Sequence, residues 1–422
     1  MHDIKYIKDN TKEFDNAISK RGGSPCGNEL LQKYEKYLSF LNKKQELQEK
    51  RNLITKSFKD SNDTENLKKQ VQVIKKEIDE VSLISEKIFE ELNEDLLLIP
   101  NMADEAVPNG LNENDNKIIK ESGQKKKINF KPLDHVKLME NRDFLNYEQA
   151  INLSGSRFSV LKSELACLNR ALVNFFIDHN AQEFGYMECV LPELVKSSSL
   201  KGTGQLPKFK DDLFQTNFND LWLIPTAEVP LTNLNRDSII KANELPLRYT
   251  SFTNCFRSEA GASGKDTKGL MREHQFGKVE IVSITHPNKS KIEFERMISC
   301  VESILTKLDL PYRLVELCTG DLGFSSTYTI DFEVWMPGQN QFREVSSCSN
   351  CKDFQSRRMK MRVKDEKTSK IYYPHTLNGS AVAVGRILVA ILENFQNADT
   401  SIEIPIILQK YINGKKKISH EG

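Results

Sequence analysis

The sequence predicts an α+β protein, with an N-terminal antiparallel α-helical coiled-coil arm followed by a body built on an antiparallel β-sheet. Three observations predict it. Residues 28–98 run without a glycine or proline and place apolar side chains at steps of three and four. The stretch 99–116, rich in Asn, Pro and Gly, breaks that texture and reads as a linker. Beyond it, short alternating runs with Pro and Gly punctuation replace the helical rhythm. The expected domains are therefore 1–106, the arm, and 107–422, the body.

In the second arm helix the apolar positions are Leu67, Val71, Ile74, Ile78, Val81, Ile84, Ile88 and Leu92, the seam of a coiled coil. The first carries Leu31, Tyr34, Leu38 and Leu41 on the same rhythm and turns polar at Gln45 and Gln48. Between them Lys59-Asp-Ser-Asn-Asp-Thr64 reads as a turn, with Asp63 or Thr64 available to cap the second helix. Each helix of roughly 30 residues would reach about 45 Å. Residues 30–59 hold eight basic and three acidic side chains, and residues 65–98 hold five basic and nine acidic. That opposition can set the pairing of the two helices, and a basic face can equally meet phosphates.

In the body, helices are expected over 160–182 and 289–308, and strands over 248–259, 273–282, 327–335 and 341–347. The spacing of Val384, Ile387, Leu388, Ile391 and Phe395 marks a further helix.

Composition narrows the function classes. The chain has 422 residues, with 60 basic and 59 acidic side chains and a formal charge of +1, so a polyanion must be gripped by a local patch. AVAVGRILVAIL, interrupted by Arg386, is too short for a membrane span, and no membrane partner is expected. The charged N-terminus lacks the apolar core of a signal peptide. Eight cysteines without a framework pattern fit reduced thiols, so a cytoplasmic protein is expected.

The most informative segment runs from Tyr249 to Val282 and reads as strand, glycine-containing loop, strand. Residues two apart on a strand share a face. That groups Arg257 with Glu259, and Arg272 with His274, Phe276, Lys278 and Glu280. Two arginines can clamp phosphate oxygens bidentately, an aromatic ring can stack on a base, and carboxylates can hold an ammonium or a base amine. Gly261, Gly264 and Gly269 lie in the loop between the strands.

FRSEAGASGKDTKGLMREHQFGKVE resembles motif 2 of the class II aminoacyl-tRNA synthetases, in the form found in seryl-tRNA synthetases. Three further blocks fit in order. Pro225-Thr-Ala-Glu-Val-Pro230 resembles the serine-binding loop. Phe342-Arg-Glu-Val-Ser-Ser-Cys-Ser-Asn-Cys351 resembles the strand before motif 3. His375-Thr-Leu-Asn-Gly-Ser-Ala-Val-Ala-Val-Gly-Arg386 resembles motif 3, with Ala381 where many members carry glycine. Gly185–Pro192 is a weaker match to motif 1, and the helical hairpin resembles the family's tRNA-binding arm. The body would then be a class II synthetase catalytic domain.

The resemblance implies a serine–tRNA ligase. Serine and ATP would give seryl-adenylate and diphosphate, and the 3′ end of tRNA(Ser), or of tRNA(Sec) where one exists, would take the seryl group. Arg257, Arg386 and Glu344 would be the catalytic residues. Arg257, Ser258, Glu259, Arg272, Glu273, Phe276, Glu344, Val345, Ser346, Ser347 and Arg386 would bind ATP. In that set Arg257 would meet the α-phosphate and the serine carboxylate, Glu259 and Phe276 the adenine, and Arg272 and Arg386 the γ-phosphate. L-Serine would be held by Thr226, Ala227, Glu228, Arg257, Glu280 and Ser380. Glu344 and Ser347 would hold Mg2+ between phosphates, oxygen ligands suited to a hard cation. A homodimer is implied, with an apolar segment near Met187–Leu194 as the visible trace.

Other signals carry less. Cys348-Ser-Asn-Cys351 has the spacing of half a zinc site, but no second pair completes it, and no zinc is expected. His274 falls on the site face, where adenylation needs no general base. Thr203–Phe209 lacks the P-loop ending and reads as a loop beside the site. Gly414-Lys-Lys-Lys417 reads as a solvated tail. Two rival functions are an adenylating enzyme that loads a different acceptor and a catalytically inactive coiled-coil interaction protein. The complete arm speaks against the first, and retention of Arg257, Arg386 and Glu344 speaks against the second.

Overall fold

In the computed structural model the described residues are 1–58, 63–139, 144–261 and 269–419. Residues 59–62 of the expected Lys59–Thr64 turn, and loop residue Gly264, lie outside them. The chain divides into two compact units between Pro100 and Asn101, earlier than the boundary expected after residue 106. The reason is local to the body. The Asn101 N–H donates to Phe324 O at 2.8 Å, and its side-chain amide donates to Ser325 O at 2.9 Å and Cys351 O at 3.0 Å. Val107 is buried in a small cluster with Val315, Leu317 and Leu322.

The arm opens with two short helices that the sequence did not announce, α1 (Ile4–Asp9) and α2 (Thr11–Lys20). They bury Ile7, Phe14 and Ile18. Asp15 Oδ1 accepts the N–H groups of Cys26 and Gly27 at 2.9 and 2.8 Å, satisfying donors exposed at a helix start. There α3 (Gly27–Ser57) begins. A β-carbon at Gly27 would lie 2.7 Å from Thr11 Cγ2, so a larger residue would force the Thr11 side chain to shift. The returning helix α4 (Thr64–Leu98) is capped by Asp63, whose carboxylate accepts the Asn66 N–H.

The α3 seam differs from the expected one. Leu30 and Leu47 are buried, with Phe40 and Ile54 packed on the cluster of Leu47, Ile74, Ile78 and Val81. Tyr37 meets Phe89 with ring centroids 5.0 Å apart. The stripe therefore runs one position before Leu31, Leu38 and Leu41 and continues past Leu41. Its heptad positions between these residues fall on Lys33, Lys44 and Arg51, which are half-buried, and long side chains can cover apolar surface with their aliphatic stems. Lys33 also pairs with Asp95 across the two helices. In α4, Ser85 takes the seam place expected for Ile84, which is exposed.

The body centres on a sheet of β1 (Lys117–Ser122), β2 (Met187–Glu188), β3 (Leu247–Phe256), β4 (Gln275–Thr285), β5 (Tyr312–Glu316), β6 (Tyr328–Met336), β7 (Gln341–Lys352) and β8 (His375–Ala383). The spatial order is β1-β5-β6-β7-β8-β4-β3-β2. All neighbours are antiparallel except β2 and β3. The body helices used below are α5 (His135–Met139), α6 (Ser163–Phe184), α7 (Glu228–Asn233), α8 (Ser290–Lys307), α9 (Phe354–Arg358) and α10 (Val384–Asn394).

The helices α6, α8 and α10 cover one sheet face and share a core with it through Leu168, Phe176, Met297, Ile304, Ile387 and Ile391. The opposite face carries the polar residues of β4, β7 and β8. The Gly414–Lys417 stretch is not a free tail at its last residue, since Lys417–Ile418 pairs with Ile402–Glu403 and Lys417 Nζ lies 3.2 Å from Asp399.

Candidate active site

A cavity of about 540 Å³ opens on the uncovered sheet face. A narrower one of about 110 Å³ adjoins it, with Arg257, Glu259, Lys278, Glu344 and Ser380 common to both walls. Their linings include every binding residue expected from the sequence except Ser258 and Ala227. The Ser258 hydroxyl instead donates to Asp211 O at 2.5 Å, and Ala227 is buried beside Leu231 and Val282.

The larger cavity has a buried charged floor. Phe276, Lys278 and Glu280 alternate along β4, and β8 sets Ser380 directly opposite Glu280. Lys278 Nζ lies 2.6 Å from Glu280 Oε2 and donates to Thr226 Oγ1 at 2.9 Å. Thr226 Oγ1 in turn donates to the same Glu280 oxygen at 2.9 Å. A buried pair of this kind survives because each charge has a close, hydrogen-bonded partner.

Beside it, Glu228 at the start of α7 is pushed up to about 7 by burial and by the Glu280 charge. Gln355 Nε2 on α9 and Asn378 Nδ2 on β8 both donate to Glu228 Oε1, at 2.6 and 3.0 Å. Thr376 fixes the amide orientation by donating to Gln355 Oε1 at 2.7 Å.

The narrower cavity is cationic. Arg257 follows β3 directly, and its N–H donates to His274 O at 2.9 Å, extending the β3–β4 pairing by a step. Its guanidinium lies 5.2 Å from the Phe276 ring centre. Arg272 precedes β4 in a turn rather than lying on the strand, and its NH1 donates to Glu259 Oε2 at 2.8 Å. Glu259 itself has φ +52, off the strand, so the pleat alone did not group these two residues. Arg386, two residues into α10, donates from NH1 to Glu344 O at 2.9 Å and lies 3.2 Å from Glu344 Oε2. Burial pushes Glu273 up to about 7, and its Oε1 has no hydrogen-bond partner.

His274 contributes nothing to either wall. Its Nδ1 sits 3.0 Å from Arg257 O and its ring packs by Phe158 and Phe214. Thr203, Gly204, Gln205 and Phe209 do line the larger cavity, where the loop was expected. Cys348 and Cys351 face opposite ways. Cys348 packs toward the core by Gly379, while Cys351 lines the cavity and accepts from Asn378 at 3.5 Å.

The residues present also fit a divalent cation. Glu344 reaches the cavity with Ser347, and Asp331 stands opposite Ser347 on β6. Asp331 Oδ1 is buried without a hydrogen-bond partner, and burial together with Glu344 holds its carboxyl well above the usual range. Crowded, under-satisfied oxygens of this kind suit a hard cation.

Residues 208–395 match the model of the class II tRNA synthetase core domain (G, H, P, S and T), and residues 1–103 match the seryl-tRNA synthetase N-terminal domain. The chain is 46% identical over 424 residues to the serine–tRNA ligase of Brucella canis, covering 99% of each chain. The chain belongs to the seryl-tRNA synthetase family. The serine–tRNA ligase of Parvibaculum lavamentivorans is likewise 46% identical, over all of both chains. Among solved structures, the seryl-tRNA synthetase of Pyrococcus horikoshii complexed with ATP superposes with a TM-score of 0.92 at 36% identity, covering 99% of each chain.

As a family member the chain is a class II ligase that activates serine with ATP and transfers it to the 3′ end of tRNA. The structure brings to the candidate site, or against its lining residues, side chains that the sequence did not assign. Lys278 was on the expected face without a role. Gln355, Asn378 and Asp331 carried no motif spacing that would have singled them out.

Proposed function

We propose that serine occupies the Thr226–Glu228–Glu280–Ser380 end of the large cavity and ATP the Arg257–Arg272–Arg386 end. The observation that carries this reading is the buried Thr226–Lys278–Glu280 triangle next to an arginine stacked on Phe276. The first is a small polar pocket for a hydroxyl and an ammonium, the second a ring-and-guanidinium surface for a nucleotide. Arg257 stands between them, within reach of both the serine carboxylate and the α-phosphate. Glu259 and Phe276 hold the adenine, and Arg272 and Arg386 take the terminal phosphate.

In-line attack of the serine carboxylate on the α-phosphate needs no protein nucleophile. The residues supply positioning and positive charge where the pentavalent phosphorus gathers negative charge. Glu344 and Ser347 would hold Mg2+, with Asp331 behind them. The ion, when bound, would neutralise phosphate oxygens. Charging bulk tRNA with labelled serine tests the reading. Acceptance of serine that stops on chelation of magnesium is expected, and charging that persists in excess chelator would contradict it.

Two further outcomes follow from the serine end. Glu228 at about 7 is neutral below that pH and ionised above it. An ammonium favours the ionised form, so the serine KM should fall by about tenfold between pH 6 and 8, a dependence that Glu228→Gln removes. Gln355→Leu leaves Glu228 without its closest donor and should raise the serine KM by about tenfold while leaving the ATP KM unchanged. Both are read in initial-rate assays of diphosphate exchange.

The arm is assigned to tRNA, since it contributes nothing to adenylation. Ile78→Ala in its seam should cost about 2 kcal/mol of local stability and lower tRNA charging while exchange without tRNA is unaffected. The partners are tRNA(Ser), and tRNA(Sec) where one exists, in the cytoplasm. Among the described residues no helix is long and apolar enough to cross a membrane. Met187 on the edge strand β2 and Val190 just after it are 65% and 95% exposed, a surface suited to a second copy of the chain. A homodimer is the expected mass in light scattering.

A further inference from the structure

His135 lies outside both cavities, yet it joins two segments that frame the cationic one. It opens α5 and is 4% exposed. Its Nδ1 sits 3.1 Å from Glu393 Oε1 near the end of α10, the helix that carries Arg386. Its Nε2 accepts the Leu270 N–H at 3.3 Å, on the segment that leads into Arg272. An N–H pointing at Nε2 requires a lone pair there, so the ring proton belongs on Nδ1 and is donated to Glu393. Glu393 is fully buried and also accepts from the His135 N–H, Gly338 N and Gln339 Nε2, which fixes the carboxylate and hence the ring.

Gly269 shows how close the approach is. Its φ is +92, and a β-carbon there would lie 2.3 Å from His135 Nε2. Any other residue would push the segment off the ring. The next residues tie the segment to the site. Met271 O accepts Arg386 Nε at 3.4 Å, and Arg272 pairs with Glu259. Arg272 Nε is buried without a partner, so its aim depends on its backbone rather than on a full set of side-chain bonds.

We propose that His135 is a positioning residue for the nucleotide. It acts as a strut from Glu393 to Leu270 that sets the 269–272 backbone and thereby aims Arg272 and Arg386 at the same phosphate group. The proposal rests on the assignment of those two arginines to ATP. Serine has no share in it, because Thr226, Glu228 and Glu280 are held by Lys278, Gln355 and Asn378 instead.

Two substitutions separate the strut from simple packing. His135→Asn keeps a polar group at the Nδ1 position and removes the acceptor at Nε2. His135→Gln places an amide oxygen near the Nε2 position and restores it. Full-length protein is assayed by serine-dependent diphosphate exchange, with melting temperatures measured alongside. The Asn variant should raise the ATP KM by about tenfold or more with the serine KM within about twofold, and the Gln variant should recover most of that loss. The proposal is overturned if both variants match wild type. It is equally overturned if the ATP and serine KM values rise together in both, in step with falling melting temperature. Absence of wild-type exchange with serine would instead sink the underlying site assignment, which keeps the two failures apart.

Discussion

Glu280→Ala is expected to raise the serine concentration needed for diphosphate exchange by about a hundredfold or more, with the ATP KM changed less than about threefold. Glu280 is 2% exposed and accepts from Thr226 at 2.9 Å while pairing with Lys278 at 2.6 Å. Its removal would take away the proposed partner of the serine ammonium and the carboxylate closest to the buried Lys278 ammonium, leaving the Thr226 hydroxyl as its hydrogen-bond partner. Breaking a buried pair on one side costs about 3–5 kcal/mol. Melting temperature should therefore fall as well. Alanine, lacking the hydroxyl, should be rejected by wild type because the same buried groups would go unpaired, and the variant should lose most of that discrimination. Calorimetric titration of ATP and serine separately checks the split. A variant that lost ATP binding while holding serine normally would show the strand-face assignment to be wrong.

Arg386→Ala should lower the exchange rate constant by about a thousandfold while serine binding is retained. The guanidinium bridges α10 to the backbone and carboxylate of Glu344, so its loss would remove the proposed phosphate clamp and free a proposed metal ligand together. Arg386→Lys should recover little, because a point charge cannot reproduce contacts from NH1 and Nε to two separate groups. Single-turnover adenylate formation distinguishes a slowed chemical step from weakened ATP binding.

Much of the site was legible because strand geometry is local. Phe276, Lys278 and Glu280 share a face by the pleat alone, and the alternation is visible in the letters. The helix carrying Arg386 was visible by its period. Arg272 was grouped with Phe276 and Glu259 with Arg257 by strand alternation, but Arg272 precedes the strand and Glu259 has positive φ, so the ion pair between them was not legible. Long-range partners were not legible. Gln355 and Asn378 reach Glu228 across more than a hundred residues, and His135 reaches Leu270 and Glu393 likewise. No local period encodes such meetings. Sheet register decides them, as the pairing of Ser380 with Glu280 shows.

The arm shows the opposite error. The periodicity was correct and its phase in α3 was wrong by one residue. Lys33, Lys44 and Arg51 fall at seam positions and carry aliphatic stems, and a reading that scores them as polar follows the neighbouring leucines instead. The short helices α1 and α2 were missed because their apolar content is carried by a few residues, Ile7, Phe14 and Ile18, within a strongly charged stretch.

The most direct test of the account is exchange of labelled diphosphate into ATP, measured with each of the twenty amino acids, magnesium and no tRNA. The account predicts exchange with serine alone. Exchange driven by a different amino acid, or none from folded protein, would contradict the assignment of the Thr226–Glu228–Glu280–Ser380 pocket and the adenylation chemistry built on it.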